Sequence, residues 1–247
     1  MKTKIIGIVS VKGGVGKTTL TSNLGAVLAE RFEKKVLLVD ANFSAPNLGM
    51  HLGVVNPKDT IHEVFKGEKH IFDVVHNFED LFHFVPASMQ SKRVKWDGFK
   101  KKLRSFRGKY DYILLDASPS REIDATINAA HSLLVVLTPD FPTVSTTVGT
   151  VNLIEKSKKP VLGLVLNKVK NKRFELSKDE IEETLGYSVV STFSDDKKML
   201  YALSEMRPFT LVYPRRKLTR QYVELASFLT DEAAIERKGF FSRFSLQ

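Results

Sequence analysis

The chain has 247 residues, is 43% hydrophobic and carries a formal net charge of +10, so it can bury one sizeable core and is expected to meet an anionic partner. It has no cysteine, which excludes disulfides and the iron–sulfur functions that need thiolate ligands. No run of about 18 apolar residues occurs and the N-terminus leads directly into an apolar strand, so we expect neither a membrane-spanning helix nor a secretory signal.

A glycine-rich motif at residues 12–19, Lys-Gly-Gly-Val-Gly-Lys-Thr-Thr, follows an apolar run and precedes a helical pattern. A strand, a glycine-rich turn and a helix start in this order predict a phosphate cradle, because glycines let backbone N–H groups approach phosphate oxygens closely. Lys17 can reach the terminal phosphates and the Thr18 hydroxyl can ligate Mg²⁺. The predicted nucleotide-binding residues of this motif are Gly13, Gly14, Val15, Gly16, Lys17, Thr18 and Thr19.

The motif departs from the common phosphate-loop pattern, since Val11 stands where that pattern has glycine and Lys12 adds a second lysine. This is the deviant Walker A sequence, and with it the chain resembles the MinD/ParA family of ATPases. The resemblance implies a P-loop NTPase of the SIMIBI type in which Lys12 reaches across a dimer to the ATP of the other copy. It therefore implies an ATP-dependent homodimer, Lys12 and Lys17 as catalytic residues, and ATP and Mg²⁺ as cofactors.

After a first helix over about residues 17–31, the apolar run 36–39 predicts a buried parallel strand that ends in Asp40. A carboxylate at this end of a strand beside the phosphate loop faces the ligand crevice. The next residues resemble the switch I segment of the family, in which Asp40 would orient the water shell of Mg²⁺, but Asn42 replaces the second aspartate. Because an amide is a poor proton acceptor, a catalytic Asn42 predicts slow hydrolysis. The alternative is that Asn42 is only a turn residue and another group orients the water.

The segment 91–109 is strongly basic. Its apolar residues Phe99, Leu103 and Phe106 have helical spacing, which predicts an amphipathic helix with a basic outer face. That face is either a solvated surface or a docking surface for anions. Its cations, against the single acid Asp97, are Lys92, Arg93, Lys95, Lys100, Lys101, Lys102, Arg104, Arg107 and Lys109.

An apolar strand over residues 110–115 ends in Asp116 and matches Walker B, where the aspartate accepts a hydrogen bond from a Mg²⁺-bound water. Ser118 and Ser120 stand where family members usually carry proline and glycine, so the turn differs while the acid is kept. The predicted metal-binding residues are Thr18, Asp40 and Asp116.

Strands and helices alternate along the chain, which predicts an α/β fold: a doubly wound, mainly parallel sheet flanked by helices, with nucleotide at the strand C-termini. Asn167 follows the strand over residues 161–166, and its amide can both donate to and accept from an adenine edge. The resemblance gives Asn167 this base-contacting role, and an ordinary turn residue is the alternative. The other predicted strands are over residues 81–85, 133–137 and 189–193, and the other predicted helices are over about residues 60–65, 143–156 and 217–230.

Residues 233–247 are predicted to form a tail after an ATPase domain over residues 1–232. On a helix Phe240, Phe241 and Phe244 would share one face, and neighbouring cations could meet acidic lipid headgroups. The tail resembles the amphipathic membrane-targeting sequence of MinD-type members of the family. The alternative is a frayed terminus whose aromatic side chains fold back on the core.

These features predict a MinD-like ATPase that docks reversibly on the inner, cytoplasmic face of a membrane and acts in spatial positioning, such as cell division, with an unidentified regulatory protein. An ATP-bound dimer presents two tails, so ATP favours docking and hydrolysis favours release. Two alternatives remain open. One is a ParA-like partitioning ATPase that binds DNA non-specifically, and the other is a hydrolysis-deficient scaffold with ATP locked in place.

Overall fold

The computed structural model describes residues 2–89, 96–120 and 122–235, whose strands form one eight-stranded sheet. The strands are β1 (Lys4–Val9), β2 (Val36–Ala41), β3 (His76–Phe78), β4 (Phe82–Val85), β5 (Tyr112–Ala117), β6 (Ser132–Leu137), β7 (Val161–Val169) and β8 (Val189–Ser194). Their order is β3-β4-β2-β5-β1-β6-β7-β8, and every neighbouring pair is parallel except β3 with β4. The predicted doubly wound, mainly parallel sheet is confirmed.

Helices cover both faces of the sheet. The described α-helices are α1 (Lys17–Phe32), α2 (Leu48–His51), α3 (Ile61–Lys66), α4 (Phe99–Leu103), α5 (Ile123–Ala129), α6 (Phe141–Ser157), α7 (Lys178–Leu185), α8 (Lys198–Ser204), α9 (Phe209–Val212) and α10 (Lys217–Thr230). One core contains Leu24 of α1 and Leu225 of α10, and the other contains Leu103 of α4 and Ile154 of α6. None of the helices in the described ranges is long and apolar enough to cross a bilayer.

The central strands explain the apolar runs of the sequence. All six residues of β2 and all six of β5 are buried, because helices cover both faces of a parallel sheet. Parallel strands also bring their C-terminal ends to one edge of the sheet, which we call the C-terminal edge. The glycine-rich turn, Asp40, Asp116 and Asn167 therefore all lie at this edge.

In the described part of the predicted basic helix, residues 96–109, the helical structure comprises α4 and a 3₁₀ turn, Arg104–Phe106. Gly98 (φ 78°) and Gly108 (φ 76°) flank these elements in the left-handed region, which interrupts a helix. Residues 90–95 and 236–247 lie outside the described residues, and with them the phenylalanines of the predicted tail. The predicted inner stripe of the basic helix is buried: Phe99, Leu103 and Phe106.

Candidate functional site

The glycine-rich turn connects β1 to α1, as predicted. Gly14 (φ 76°) and Gly16 (φ 98°) adopt left-handed backbone conformations that favour glycine. A Cβ atom on Gly16 would lie 2.2 Å from Asn167 Nδ2, so this position has no room for a side chain. Since Gly16 precedes α1 without a side-chain cap, the first N–H groups of the helix are available to an anion.

The two lysines of the turn contact different partners. Lys17 is 7% exposed, and its Nζ donates to the Lys12 carbonyl oxygen at 3.1 Å. Burial lowers the pKa of Lys17, and the charge of Asp116 opposes that shift. Lys12 Nζ instead donates to Thr143 Oγ1 at 2.6 Å and lies 3.4 Å from Asp140 Oδ1. Lys17 thus lies within the cradle, and Lys12 lies against the start of α6.

Asp140 holds both the start of α6 and Lys12. Its Oδ1 accepts the Thr143 backbone N–H at 2.9 Å, which caps the helix. Partial burial raises the pKa of Asp140, but hydrogen bonds from Thr138 and Thr143 lower it more, to about 2. The carboxylate is therefore ionised at neutral pH and balances the charge of Lys12. Local sequence patterns do not predict the contact between Lys12 and Asp140, because 128 positions separate the two residues.

Asp40 and Asp116 form a buried carboxylate pair. They are register partners on the neighbouring strands β2 and β5, and neither residue is exposed. Asp40 accepts backbone N–H groups of Asn42, Asn47 and Leu48 at 3.0–3.1 Å. Burial raises the pKa of Asp40 well above its usual range, and the nearby charge of Asp116 adds to this effect.

Asp116 is only partly satisfied by the protein. Thr18 Oγ1 donates to Asp116 Oδ2 at 2.6 Å, whereas Asp116 Oδ1 is buried without a hydrogen-bond partner. Burial raises the pKa of Asp116 to about 6, although the Thr18 hydrogen bond and the Lys17 charge oppose the shift. Carboxylate and hydroxyl oxygens are ligands that Mg²⁺ prefers, and Mg²⁺ binds through one or two carboxylates together with phosphates and water. This group of oxygens suits that ion.

Asn42 lies two residues after Asp40, in a stretch that we call the switch segment (residues 40–48). Its side chain is 7% exposed, and its Nδ2 donates to the Ala45 carbonyl oxygen. Its Oδ1 is buried without a hydrogen-bond partner. The structure therefore leaves one hydrogen-bond acceptor of the amide free beside the carboxylate pair.

Two side chains at the end of β7 form hydrogen bonds with the glycine-rich turn. Asn167 Nδ2 donates to the Val15 carbonyl oxygen at 2.7 Å, and Asn167 Oδ1 accepts the Lys168 N–H at 2.9 Å. Lys168 Nζ donates to the Gly14 carbonyl oxygen at 2.7 Å. An amide carries two donors and two acceptor lone pairs, so Asn167 keeps one of each for a ligand.

A cavity of about 670 Å³ lies over the turn. Eight of the predicted residues line it: Gly13, Gly14, Gly16, Lys17, Thr18, Thr19, Asn42 and Asn167. Lys12, Val15, Asp40 and Asp116 lie outside this lining. The opposite wall comes from residues 194–197 and from the apolar side of α8, including Leu200 and Leu203. The part contributed by α8 was not predicted from the sequence.

Known proteins are similar to this chain over most of its length. A family model described as an AAA domain matches residues 3–164. The septum site-determining protein MinD of Thermotoga maritima is 29% identical over 220 residues, which span 84% of this chain and 81% of that protein. The chain belongs to the MinD/ParA family of P-loop ATPases.

Solved structures of MinD/ParA ATPases share the fold. MinD of Pyrococcus horikoshii, complexed with Mg-ADP, has a TM-score of 0.86 and 25% identity, covering 92% of this chain and 96% of that one. MinD in the MinC:MinD complex of Aquifex aeolicus has a TM-score of 0.84 and 25% identity, covering 95% and 98%. The cofactors of this MinD/ParA ATPase are ATP and Mg²⁺. Its open N–H groups and the unpartnered oxygen of Asp116 fit them.

Proposed function

We propose that this chain is a MinD-like positioning ATPase, in which Mg-ATP drives formation of a homodimer that docks reversibly on the cytoplasmic face of a membrane. The observation that carries the proposal is Lys12, a second lysine at the rim of the phosphate cradle. Its ammonium group lies against Asp140 and Thr143 rather than in the cradle, so it is available to a second copy. Similarity to septum site-determining MinD proteins supports a role in spatial positioning, such as cell division.

Each predicted site residue has a role in this proposal. Backbone N–H groups from residue 13 to residue 19 bind the phosphates, Lys17 neutralises their terminal charge, and Asn167 contacts adenine with its remaining donor and acceptor. The metal ion, when bound, offsets the negative charge that the phosphates carry. The residues that hold it, directly or through water, are Thr18, Asp40 and Asp116.

Dimerisation requires Lys12 to leave its present partners. The ion pair with Asp140 is partly exposed, with the Lys12 and Asp140 side chains 36% and 43% accessible. Exposed pairs of this kind contribute roughly 0.2–1 kcal/mol, so phosphate on a facing copy can compete with Asp140 for Lys12. Lys12 therefore binds Asp140 of its own copy in the monomer and the phosphate of the facing copy in the dimer.

Hydrolysis is proposed to be slow because Asn42 supplies an amide where the family has a carboxylate. The free Oδ1 of Asn42 can hold a water by accepting a hydrogen bond, but it cannot take the proton. The same observation favours a second candidate, a scaffold with ATP locked in place. Chromatography of the nucleotide released from the purified protein separates the two, since intact ATP indicates the scaffold and ADP indicates turnover.

Membrane docking is assigned to residues 233–247, most of which lie outside the described residues. Burying each of Phe240, Phe241 and Phe244 is worth roughly 1.5–3 kcal/mol before the cost of ordering the tail. One tail would therefore bind weakly. A dimer makes the second insertion intramolecular, which raises avidity roughly 100-fold or more.

Co-sedimentation of the full chain with vesicles under ATP, ADP and no nucleotide tests this function. Binding should appear only with ATP and should be lost on removal of residues 238–247 and in Lys12→Ala, which should also stay monomeric. Nucleotide-independent binding would contradict the switch. Steep salt dependence of duplex DNA binding without vesicle binding would instead support ParA-like partition. A regulatory protein, as in the Aquifex aeolicus MinC:MinD complex, is a further expected partner.

A further inference from the structure

His51 lies in the wall of the nucleotide cavity, although neither the sequence motifs nor the family resemblance predicts a role for it. It is the last residue of the short helix α2. Thr19, the second threonine of the glycine-rich motif, lines the same cavity. The tertiary fold therefore adds an imidazole to a site that the motifs describe as lysines, hydroxyls, carboxylates and amides.

The backbone of α2 is held in place on both sides of the helix. Before it, Asp40 Oδ2 accepts the Leu48 N–H at 3.0 Å, which ties the start of α2 to the carboxylate pair. After it, the Val54 N–H donates to the Gly49 carbonyl oxygen at 2.9 Å and closes a tight turn. A Cβ atom on Gly49 would lie 2.8 Å from the Val54 carbonyl oxygen, so this turn needs glycine at that position.

Two leucines determine which side of α2 faces the cavity. Leu48 is 0% exposed and Leu52 is 4% exposed, and both belong to the core that contains Leu24 of α1. Side chains four positions apart lie on the same side of a helix, so both leucines pack inward. His51 is left half-buried at the cavity.

The His51 ring has no partner in the protein. Within residues 2–89, 96–120 and 122–235, no group forms a hydrogen bond or an ion pair with it. Burial lowers the pKa of His51 to about 4, so the ring is neutral at neutral pH. A neutral imidazole carries one hydrogen-bond donor and one acceptor, and both are available to a ligand.

The acids near His51 already have partners. In the cavity wall, Asp195 lies 3.7 Å from Lys170 Nζ, and Asp196 accepts a hydrogen bond from Arg216 Nε at 2.8 Å. Helix α2 packs against β2 and α1, and Asp40 of β2 accepts three backbone N–H groups. A protein carboxylate is therefore not the partner that the ring is placed to meet.

The positive charges around the cavity favour a phosphate as the ligand of His51. Lys17 comes from α1, and the other cations come from the end of β7 and the loop after β8. The cations that line the cavity among the described residues are Lys17, Lys168, Lys170 and Lys197. A cleft lined by one sign of charge concentrates ligands of the opposite sign. The phosphates of the nucleotide are thus the anions that enter here.

We propose that His51 donates a hydrogen bond to a phosphate of the bound nucleotide and thereby holds α2, together with the end of the switch segment, against the cavity. This deepens the proposed function and rests on its nucleotide binding, but not on dimerisation or membrane docking. A phosphate beside the ring favours the protonated imidazole, which opposes the effect of burial. Nucleotide binding should therefore raise the pKa of His51.

The test follows the His51 ring by NMR in the full chain, labelled with carbon-13 at histidine Cε1. Spectra over a range of pH are compared without ligand, with Mg-ADP and with adenosine, which has no phosphate. His51→Leu identifies the resonance, because leucine fills a similar volume without a polar atom. Titration calorimetry measures the affinity of each variant for Mg-ADP. His70→Leu, at an exposed histidine after α3, is the matched control, and circular dichroism checks that each variant folds.

We expect Mg-ADP to move the His51 resonance and to raise its pKa by about one or more, whereas adenosine should change neither. His51→Leu should weaken Mg-ADP binding about 10-fold or more, because a hydrogen bond to a charged group is lost. His51→Gln keeps an N–H donor and should recover part of that affinity. His70→Leu should bind Mg-ADP as the wild type does.

A His51 resonance that stays unmoved in wild-type protein saturated with Mg-ADP would overturn the contact, and so would an equal response to adenosine. Both results come from the wild type, so they decide the question even if His51→Leu does not fold. Failure of the wild type to bind Mg-ADP would contradict the nucleotide site itself, and the His51 contact with it.

Discussion

At the scale of single residues, Asn42 is the residue whose side chain we propose limits hydrolysis. Its Oδ1 is a free acceptor in the switch segment, next to two buried carboxylates, but an amide cannot act as a base at neutral pH. Asn42→Asp should therefore raise ATP turnover, by about 10- to 100-fold if the new carboxylate takes up the proton. Steady-state phosphate release at saturating Mg-ATP, with vesicles present, measures this effect.

The matched control for that change is Asn47→Asp, which adds the same charge within the switch segment. Asn47 Nδ2 donates to the Ala45 carbonyl oxygen, as Asn42 Nδ2 does, but Asn47 is the more exposed of the two. Only Asn42→Asp should accelerate turnover. Equal rates in the wild type and Asn42→Asp, with ATP affinity retained, would mean that Asn42 is a turn residue and another group orients the water.

We expect the buried Asp116 carboxylate to destabilise the metal-free protein, although Mg-ATP binding requires it. Its pKa rises from 3.8 to about 6 on folding, so the native state binds more protons than the unfolded state between these values. Without metal, the contribution of Asp116 to the free energy of unfolding should therefore fall as the pH rises through this window, by at most about 3 kcal/mol. Asp116→Asn should raise the melting temperature of metal-free protein at about pH 8 and abolish stabilisation by Mg-ATP.

Thermal melts in the presence of a chelator test that prediction. Asp179→Asn, on the exposed surface of α7, is the control for the loss of one charge. At about pH 4 the native Asp116 carboxyl is protonated, and the amide that replaces it in Asp116→Asn is uncharged at any pH. The difference in melting temperature between the wild type and Asp116→Asn should therefore nearly vanish there. A variant that melts below the wild type at high pH would show that the Asp116 carboxylate stabilises the metal-free fold.

At the scale of elements, local signals predicted some features and long-range contacts determined others. β1, the glycine-rich turn and α1 could be predicted because the spacing of apolar residues and the glycine-rich motif lie within about 30 neighbouring residues. The short edge strand β3 could not, since a three-residue strand has too little pattern. The wall formed by α8 was also missed, because only the tertiary fold brings residues 198–204 over the glycine-rich turn.

The switch segment also contacts α4 through aromatic rings. Phe43 stacks on Trp96 with 3.3 Å between ring centroids, and Phe99 meets Phe43 edge-on at 5.4 Å. Trp96 is the only tryptophan of the chain, so it reports on the switch segment. Mg-ATP should change its emission, and Phe43→Leu should remove most of that change while ATP affinity stays within a few-fold.

Phe72→Leu is the matched control for this fluorescence measurement, because Phe72 packs edge-on against Phe106, away from Trp96. It should respond to Mg-ATP as the wild type does. An identical emission change in Phe43→Leu would show that the switch segment stays fixed when nucleotide binds, and that Trp96 senses another part of the chain.

At the scale of the whole molecule, the sheet separates nucleotide from the proposed membrane contact. Helix α1 has 16 residues and is about 24 Å long, with the phosphate cradle at its start and the contact with Ile235 in its last turn. A single helix joins the phosphate cradle to the segment that leads into the tail. ATP can therefore control docking without a conformational change that travels between these two sites. In the proposed dimer, ATP would control docking by pairing two copies, which present two tails to one membrane.

The surface that would pair the two copies is marked by two exposed phenylalanines at the C-terminal edge. Phe141 at the start of α6 is 72% exposed and Phe174 in the loop after β7 is 74% exposed, and a hydrogen bond from Leu176 to Pro139 joins their loops. In a two-fold dimer each ring is buried twice, so Phe141→Ser/Phe174→Ser should weaken the ATP-dependent dimer on the order of 100-fold or more. Sedimentation velocity with ATP measures this, and Phe228→Ser on α10, where the ring is 51% exposed, is the control. Because ATP contacts neither ring in this arrangement, nucleotide affinity of the monomer should be unchanged. A dimer of undiminished affinity would mean that the copies meet through another surface.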